Sequence, residues 1–428
     1  MTSRERVIAA INHQPVDRCP IDLGSNGQTG MNASTLYKFR KYLGLEEHPI
    51  NIIEPYQMLG EIEEDLMKVV GNDVVGLWNT GNMLGYKNDN KKRWQMDDGT
   101  PVNMGSGFEI DVNEKGEKLL YPCGDRTAKY SCKMPVGGSF FDNIERTESW
   151  DFDLDEEDLT PVEDFKDDFG VASDEEARYW EEKSKQLYDE TEYGIIGVLG
   201  GGGFGDVAQI PGPAIRDPKG IRKIEDWLMA HAMYPGYVDD VFGYQEEIML
   251  KNLEIYKQAV GDRIQVIWVS GTDLGTQNST FTSLNTFRSL YKPHFSRINE
   301  WIHKNTGWKT FYHSCGCVAE LLDDIVDMGV DCLNPVQFSA LENKGVTPQV
   351  IKEKYGDKLT FWGGGVDTQK TLPFGTSEEV YNEVKSRVEI LNNNGGYIFS
   401  SIHNVVANVP AENLCAMYEA VLGKKLEV

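Results

Sequence analysis

The stretch KTFYHSCGCVAELLDDIVDMGVDCLNPVQ, residues 309–337, holds two short apolar runs separated by a polar loop and an amphipathic segment. The spacing of apolar residues over 318–328 predicts a helix, and the flanking runs at 309–313 and 331–334 predict buried strands. A strand, a helix and a second strand in this order are typical of a parallel βαβ unit.

The same unit recurs along the chain. It predicts eight strands, at 19–24, 73–78, 194–199, 264–270, 309–313, 331–334, 359–362 and 396–400. Eight such strands alternating with helices favour an α/β fold of the (β/α)8 TIM barrel type, with a doubly wound open sheet as the alternative. Further helices are predicted at the N-terminus, with Thr2 or Ser3 as N-cap, and at 34–43, 56–70 and 377–391.

Residues 85–192 depart from this pattern and are predicted to form an insertion in a single barrel domain spanning 1–428. Turn signals such as Asp98-Gly99 predict β-hairpins between residues 92 and 141. Residues 142–192 contain 21 Asp or Glu against 5 Lys or Arg. Aromatic residues are interspersed among these charges, which indicates a folded segment with a solvated acidic face rather than an interaction tail.

Composition narrows the class of protein further. The 428 residues carry a formal net charge of −26, which disfavours binding to nucleic acid. No long uncharged apolar run predicts a membrane span, and the charged N-terminus does not resemble a signal peptide. Seven scattered cysteines suit a reducing compartment, so a cytoplasmic location is expected.

Polar side chains gather directly after the later predicted strands. The candidates, in chain order, are Asp273, Gln277, His313, Cys315, Asn334, Gln337, Asp367, His403 and Asn404. Active sites of barrels lie at the C-terminal ends of the strands, so these side chains are expected to meet at one mouth.

His313 and Cys315 are candidate metal ligands, because residues two apart on a strand point to the same face. Taken alone, this pair is also compatible with packed core residues. Zinc needs a third protein ligand and, for catalysis, an open fourth position. The candidates for the third ligand are Cys317, Cys332, His403, Asp273 and Asp367. His403 ends a different predicted strand and is the best placed of them.

Several motifs together resemble the uroporphyrinogen decarboxylase superfamily, and more narrowly its corrinoid-dependent zinc methyltransferase branch. They are DLGTQ (273–277), HSCG (313–316), GVDCLNPVQ (329–337), WGGGVD (362–367) and PAEN (410–413). The resemblance runs along the whole chain, is strongest over about 264–420, and is poor over 85–190. It implies a (β/α)8 barrel.

Two departures from the family pattern bear on function. The decarboxylases carry an Arg-rich N-terminal motif that holds the carboxylates of a porphyrinogen, whereas the matching residues 21–30 contain no Arg. The zinc methyltransferases carry a Cys seven residues before the Pro-x-Glu-Asn motif, and His403 stands at that position here. The resemblance therefore implies His313, Cys315 and His403 as the zinc ligands.

One thiolate and two imidazoles leave the zinc centre with a net charge near +1, a stronger Lewis acid than a centre with two thiolates. This favours O-demethylation, in which a methyl group moves from a small methoxylated, most simply aromatic, substrate to Co(I) corrinoid. The chain lacks the Asp-x-His-x-x-Gly signature of corrinoid-binding domains, so the corrinoid is expected on a separate partner protein. A homodimer is compatible with the resemblance.

The remaining polar residues are assigned by position. Asp273, Gln277 and Asn404 are expected to act in catalysis or orientation, and Asn334, Gln337 and Asp367 to line the substrate pocket. The alternatives are a metal-free decarboxylase or lyase of the uroporphyrinogen decarboxylase type, a methylcorrinoid:thiol methyltransferase, and a non-catalytic binding protein of a corrinoid pathway.

Overall fold

The computed structural model describes residues 1–89 and 91–427. Within these residues the main sheet has seven parallel strands, Val74–Leu77, Gly194–Gly197, Val266–Ser270, Lys309–His313, Cys332–Asn334, Thr360–Trp362 and Tyr397–Ile398. Each strand pairs with the next one along the chain. The strand order therefore never reverses, as it would in a doubly wound sheet. The predicted parallel α/β sheet is confirmed, and it curls as a barrel sheet does.

The segment 19–24, the first of the eight predicted strands in chain order, forms only a single bridge, at Ile21. On one side the Phe399 amide donates to the Pro20 carbonyl (2.8 Å), and on the other the Asp73 amide donates to the Ile21 carbonyl (2.7 Å). This segment thus bonds to both edge strands of the sheet. Pro20 has no N–H to extend the ladder, which helps to keep the pairing short.

Inward-facing side chains fill the barrel. One residue from each strand contributes to an apolar cluster of Val74, Ile196, Val266, Phe311, Cys332, Trp362 and Ile398, and the N-terminal helix packs against it. Same-face residues on a strand are two positions apart, so Trp268, His313 and Asn334 lie one step nearer the C-terminal mouth. The apolar cluster therefore lies directly below the layer of side chains that includes His313 and Asn334.

The α-helices cover the sheet and the ends of the barrel. They span Ser3–Ile11, Ala33–Leu43, Glu64–Val70, Pro161–Phe165, Asp174–Glu190, Ile224–Met233, Pro235–Val260, Leu284–Thr286, Lys292–Asn305, Leu322–Asp327, Phe338–Leu341, Pro348–Tyr355, Thr371–Phe374, Ser377–Leu391 and Ala411–Leu422. Thr2 caps the first helix in a capping box with Glu5, as its sequence predicts. In the described ranges, no helix has both the length and the apolar character needed to cross a membrane.

The predicted helix over 56–70 is wrong in its first half, because only Glu64–Val70 is helical. The Glu54 carboxylate accepts hydrogen bonds from the backbone amides of Tyr56 (2.9 Å) and Gln57 (2.8 Å), which folds the chain into a turn. The short strand Leu59–Gly60 then pairs back on Ile50–Glu54. A side chain that captures backbone amides competes with helix formation at that point.

Residues 50–143 build two small sheets, each with four strands in the described chain. The first contains Leu59–Gly60, Ile50–Glu54, Pro101–Met104 and Lys92–Gln95, and the second Ile110–Val112, Lys118–Leu120, Cys132–Met134 and Asp142–Asn143. The acidic segment that follows includes the helix Asp174–Glu190, whose Trp180 packs edge-on against Tyr256 with ring centroids 4.9 Å apart. Of these elements, the strand Ile50–Glu54 and the helix Asp174–Glu190 contribute side chains, among them Glu54 and Glu176, to the cavity at the barrel mouth.

Candidate metal centre

The side chains of His313, Cys315 and His403 converge at the C-terminal mouth of the barrel. Their potential ligand atoms all lie within 4.8 Å of one another. His313 ends its strand and Cys315 follows two residues later, with Nε2 and Sγ 3.2 Å apart. His403 comes from the loop after Tyr397–Ile398, and its ring centroid is 5.4 Å from that of His313. The structure thus brings together the three residues that the sequence predicts as ligands.

Asn334 sets the orientation of the His313 ring. The Asn334 amide nitrogen donates to the Trp362 carbonyl (2.8 Å), so its oxygen faces His313 Nδ1 at 2.5 Å. In the neutral imidazole that a metal ion requires, Nδ1 is then the protonated nitrogen, and Nε2 keeps a lone pair directed at Cys315. A hydrogen bond of this kind is what holds a metal-ligating histidine in position.

His403 is held as a neutral imidazole. Burial, reinforced by the nearby His313, lowers the pKa of His403 to about 4. Its Nδ1 is in close contact with the Asn404 side-chain oxygen. Metal ligation requires the neutral form of histidine, and this site supplies it at neutral pH.

Asp273 places a carboxylate beside the three ligands. Its Oδ1 accepts a hydrogen bond from the Cys315 amide (2.8 Å) and lies 3.5 Å from His313 Nε2. Burial opposes ionisation of Asp273, but the contacts with His313 and Cys315 outweigh it and lower its pKa to about 2. Burial and this carboxylate raise the pKa of the Cys315 thiol well above its usual value. A bound cation would neutralise the carboxylate and favour the thiolate.

Two glycines fix the loop that carries Cys315. Gly316 has φ +84°, and a Cβ there would lie 2.2 Å from the Gly275 carbonyl oxygen. The Gly316 amide donates to the Gln337 side-chain oxygen (2.7 Å). The chain turns at this point and carries Cys317 into the protein interior, where it is buried. The other cysteine candidate, Cys332, is buried in the apolar cluster inside the barrel.

The remaining predicted site residues occupy several environments. Gln337 bonds the Cys315 loop, and its amide nitrogen is 3.4 Å from Gln277, which is exposed. The Asp367 carboxylate accepts the amides of Gln369 (2.7 Å) and Lys370 (3.1 Å), so it shapes a turn away from the three ligands. Asn334 contacts His313, and Asn404 borders a neighbouring surface groove. The catalytic and substrate-binding assignments of these residues remain predictions.

A cavity of about 540 Å³ opens over His313, His403 and Asp273. Its walls include residues that the sequence analysis does not single out, among them Gln28, Glu54, Tyr56, Trp78, Asp206 and Trp268. Asp206 follows the glycine-rich loop after Gly194–Gly197, so the rule of strand ends would have found it. Glu54 is the last residue of the strand Ile50–Glu54, and Tyr56 follows it. The sequence pattern does not predict this strand.

Residues 218–423 match the model of a protein family described as Uroporphyrinogen decarboxylase (URO-D). This match supports the uroporphyrinogen decarboxylase superfamily and falls on the part of the barrel that supplies all three candidate ligands. A methyltransferase from Methanosarcina mazei has a similar structure, with a TM-score of 0.57 and 15% sequence identity over 99% of each chain. At this identity the likeness concerns the fold. No curated protein matches the sequence.

Proposed function

We propose that this protein is a zinc-dependent methyltransferase that demethylates a small methoxylated aromatic compound. The methyl acceptor is the Co(I) corrinoid of a separate partner protein. The oxygen–methyl bond breaks and the phenolate keeps its electron pair, while Co(I) supplies the pair for the new cobalt–methyl bond. The observation that carries the proposal is the His-Cys-His group, in which Asn334 leaves the His313 Nε2 lone pair free for a metal.

The donor set fits zinc. Imidazole nitrogen and thiolate sulfur are its preferred ligands, and three protein ligands with one open position are typical of catalytic sites. The three donor atoms lie close enough together for one small ion. Zinc bound here supplies a Lewis acid that stabilises negative charge on an ether oxygen as the methyl group leaves.

The chain's own residues prepare the site. Asn334 and the Trp362 carbonyl keep the His313 ring from rotating. Asp273 holds the Cys315 backbone in place and adds negative charge that favours a bound cation. The Trp78 and Trp268 side chains line part of the cavity and give it apolar surface. Preorganised groups of this kind need no reorganisation at the moment of reaction.

The cavity also bears on the alternative of a decarboxylase. Porphyrinogen carboxylates need cationic partners, yet none of the residues described as lining the cavity is Lys or Arg. The observation agrees with the absence of Arg from residues 21–30. For the thiol methyltransferase, the two-imidazole ligand set leaves more positive charge on the metal, which weakens the nucleophilicity of a bound thiolate. Methyl removal is therefore favoured.

The test is methyl transfer to chemically reduced free cobalamin, which stands in for the partner. Zinc-loaded protein and a methoxyarene should convert Co(I) cobalamin to methylcobalamin, followed by absorbance, with release of the corresponding phenol. Cys315→Ser protein, carried through the same zinc loading, should show no more conversion than the buffer. Conversion that is equally fast without zinc, or in the Cys315→Ser variant, would contradict the proposal.

A further inference from the structure

The helix Ile224–Met233 is apolar on its exposed face as well as on its buried face. Its sequence, IEDWLMAHAM, contains seven apolar residues in ten. Trp227 is fully buried and packs against Phe165, with ring centroids 5.6 Å apart. Met229 and Met233 lie on the other side of the helix and are 50% and 52% exposed. A helix that is apolar all round is usually buried in a soluble protein, so this exposed side suits contact with another molecule.

The next helix, Pro235–Val260, shows what an ordinary solvent-facing surface looks like in this protein. Its exposed side chains are mostly charged and include Asp239, Asp240, Glu247, Lys251 and Glu254. The two methionines, four residues apart and therefore neighbours on the helix surface, interrupt this charged surface. Methionine is flexible and is enriched where proteins bind one another. We call Met229 and Met233 the methionine face.

An acidic strip, residues 151–158, is attached to the same helix. Its sequence, DFDLDEED, contains six carboxyl groups. The Trp150 amide donates to the Asp226 carboxylate (2.9 Å), and the Phe152 ring stacks on Tyr234 with centroids 5.4 Å apart. These two contacts hold the strip against both ends of the helix.

The strip borders the methionine face. Asp226 precedes Met229 by three residues and Met233 by seven, so all three lie on one side of the helix. Leu154 belongs to the strip and is 47% exposed, and its carbonyl accepts a hydrogen bond from the Tyr234 hydroxyl (3.0 Å). The exposed apolar surface therefore has carboxylates along its edge.

This surface has a strong negative charge. Neither the strip nor residues 224–250 contain a Lys or an Arg. Lys223, which precedes the helix, donates to the Ser149 hydroxyl (3.0 Å) and lies 4.0 Å from Glu145. A partner with Lys or Arg beside apolar side chains would complement such a surface, whereas a second copy of this chain would bring carboxylates against carboxylates.

The helix also lies close to the barrel mouth. Its buried side faces the glycine-rich loop, because a Cβ on Gly205 would lie 3.2 Å from Trp227 Nε1. Gly200 and Asp206 of the same stretch line the cavity over the candidate metal ligands. A protein bound to the methionine face would therefore be separated from the mouth by one helix and this loop.

We propose that the methionine face and the acidic strip form a docking surface for a partner protein, which presents a helix with Lys or Arg beside apolar side chains. The methionines supply apolar contact at the centre, and the carboxylates pair with the cations around it. The inference goes beyond the proposed function, since it requires neither the metal nor methyl transfer.

The experiment measures binding of a fluorescein-labelled amphipathic helix composed of Leu and Lys to the full chain. Fluorescence anisotropy is recorded at about 0.15 M salt, where long-range attraction is screened. In one comparison peptide Glu replaces Lys, and in the other Ser replaces Leu. We expect the Leu–Lys peptide to bind at least about ten-fold more tightly than either, a difference of about 1.4 kcal/mol. Equal binding of the Lys–Ser peptide would reduce the effect to net charge and overturn the inference.

The first variant removes the apolar contact. Met229→Ser/Met233→Ser should weaken binding of the Leu–Lys peptide by about ten-fold, equivalent to about 1.4 kcal/mol. The matched control is Val350→Ser/Phe374→Ser, because these side chains are 40% and 74% exposed on other helices. The control should bind within about three-fold of the unmodified protein. Unchanged binding in the methionine variant would overturn the inference.

The second variant removes charge from the strip. Asp153→Asn/Asp155→Asn/Glu157→Gln changes three exposed carboxylates and should weaken binding by about ten-fold, because these groups pair with the lysines. Glu300→Gln/Glu378→Gln/Glu389→Gln is the matched control, since it removes three exposed carboxylates elsewhere and gives the same net charge. Equal weakening in both would show that only the total charge matters and would contradict the docking surface.

A second copy of the chain as occupant is tested by sedimentation velocity over a range of protein concentrations. Met229→Ser/Met233→Ser should leave the sedimentation coefficient unchanged. A change from a dimer to a monomer in this variant would assign the face to self-association and overturn the inference.

The inference and the proposed function fail separately. Peptide binding is measured on metal-free protein, so its loss does not bear on the methyltransferase. Methyl transfer to free cobalamin by Met229→Ser/Met233→Ser should equal that of the unmodified protein, because both side chains lie outside the cavity. A variant that loses methyl transfer along with peptide binding would contradict a role confined to docking.

Discussion

Two histidines of this protein are about equally buried, but their ring nitrogens have different partners. His313, at the barrel mouth, is 2% exposed, and His294, in the helix Lys292–Asn305, is 3% exposed. His294 Nδ1 faces the Glu246 carboxylate at 2.6 Å, and its Nε2 faces Asp239 at 3.1 Å. His313 Nδ1 faces the Asn334 amide oxygen, while its Nε2 points to Cys315 Sγ at 3.2 Å and lies 3.5 Å from the Asp273 carboxylate.

This difference separates a structural histidine from a candidate ligand. Glu246 also receives two hydrogen bonds of 2.6 Å from Arg297, so this carboxylate has a cationic partner within the protein. At the barrel mouth the lone pair of His313, the sulfur of Cys315 and the imidazole of His403 face one another. Groups that donate electron pairs converge there without a cationic side chain between them, which favours a metal ion.

The largest expected effect is that of removing a ligand. His403→Ala should abolish detectable methyl transfer and lower zinc affinity by more than about 100-fold, because two remaining protein ligands do not hold a catalytic zinc. The measurement is competition with a zinc chelator on purified protein. His294→Ala serves as the control, since it removes a histidine that lies outside the metal centre, and it should leave zinc affinity within about three-fold. Normal zinc affinity in His403→Ala would remove this residue from the ligand set.

The next effect is that of the residue that orients His313. Asn334→Ala should weaken zinc binding by about 10- to 100-fold, because groups that hydrogen-bond to ligating histidines contribute to that extent. Asn334→Asp keeps an acceptor for Nδ1 and should retain most of the affinity. Chelator competition on the two variants gives the comparison. Equal affinities in both would show that the ring is held by packing alone.

The fold was largely predictable from sequence because the strands of a parallel barrel are buried runs bounded by loops. The pattern predicts every strand of the main sheet. It misses Ile50–Glu54, which pairs with residues far along the chain at Pro101–Met104. It also predicts too great a length for the helix that ends at Val70. No local sequence pattern indicates that the Glu54 carboxylate accepts hydrogen bonds from two backbone amides.

The candidate metal ligands were predictable because each follows a barrel strand, and strand ends meet. The function of Asn334 as a support for His313 was not, since the sequence does not show which way an amide points. Trp268 was missed for a different reason. It lies within a strand and looks like a core residue, yet its side chain lines the cavity.

The third effect concerns stability and compares the loss of His294 with the loss of His403. His294→Ala should lower the free energy of unfolding by about 1.5–3 kcal/mol, since it removes the hydrogen bond between its Nδ1 and the buried Glu246 carboxylate. His403→Ala, compared in the metal-free state, should cost less, because the hydrogen-bond partner found for its ring in the described chain is the neutral Asn404 amide. Urea unfolding followed by circular dichroism measures both. A larger loss in His403→Ala would reverse the assignment of structural and ligand roles.

The smallest effect is on pH dependence. The pKa of His403 is lowered to about 4 in the folded protein, below its ordinary value near 6.5. The unfolded chain therefore binds the extra proton more strongly between these values, and metal-free protein should lose about 1–2 kcal/mol of stability from pH 7 to pH 5. In His403→Gln this part of the loss should disappear. Identical pH profiles of urea unfolding in both proteins would contradict the neutral state of His403.

The most direct test of the metal centre is the metal content of untagged protein purified without added metal, combined with cobalt substitution. The account predicts about one zinc per chain, and a Co(II) derivative whose spectrum shows tetrahedral coordination with a sulfur-to-cobalt charge-transfer band that is absent in Cys315→Ser. Protein that contains no zinc and takes up neither zinc nor cobalt would contradict it, and the decarboxylase alternative would then take first place.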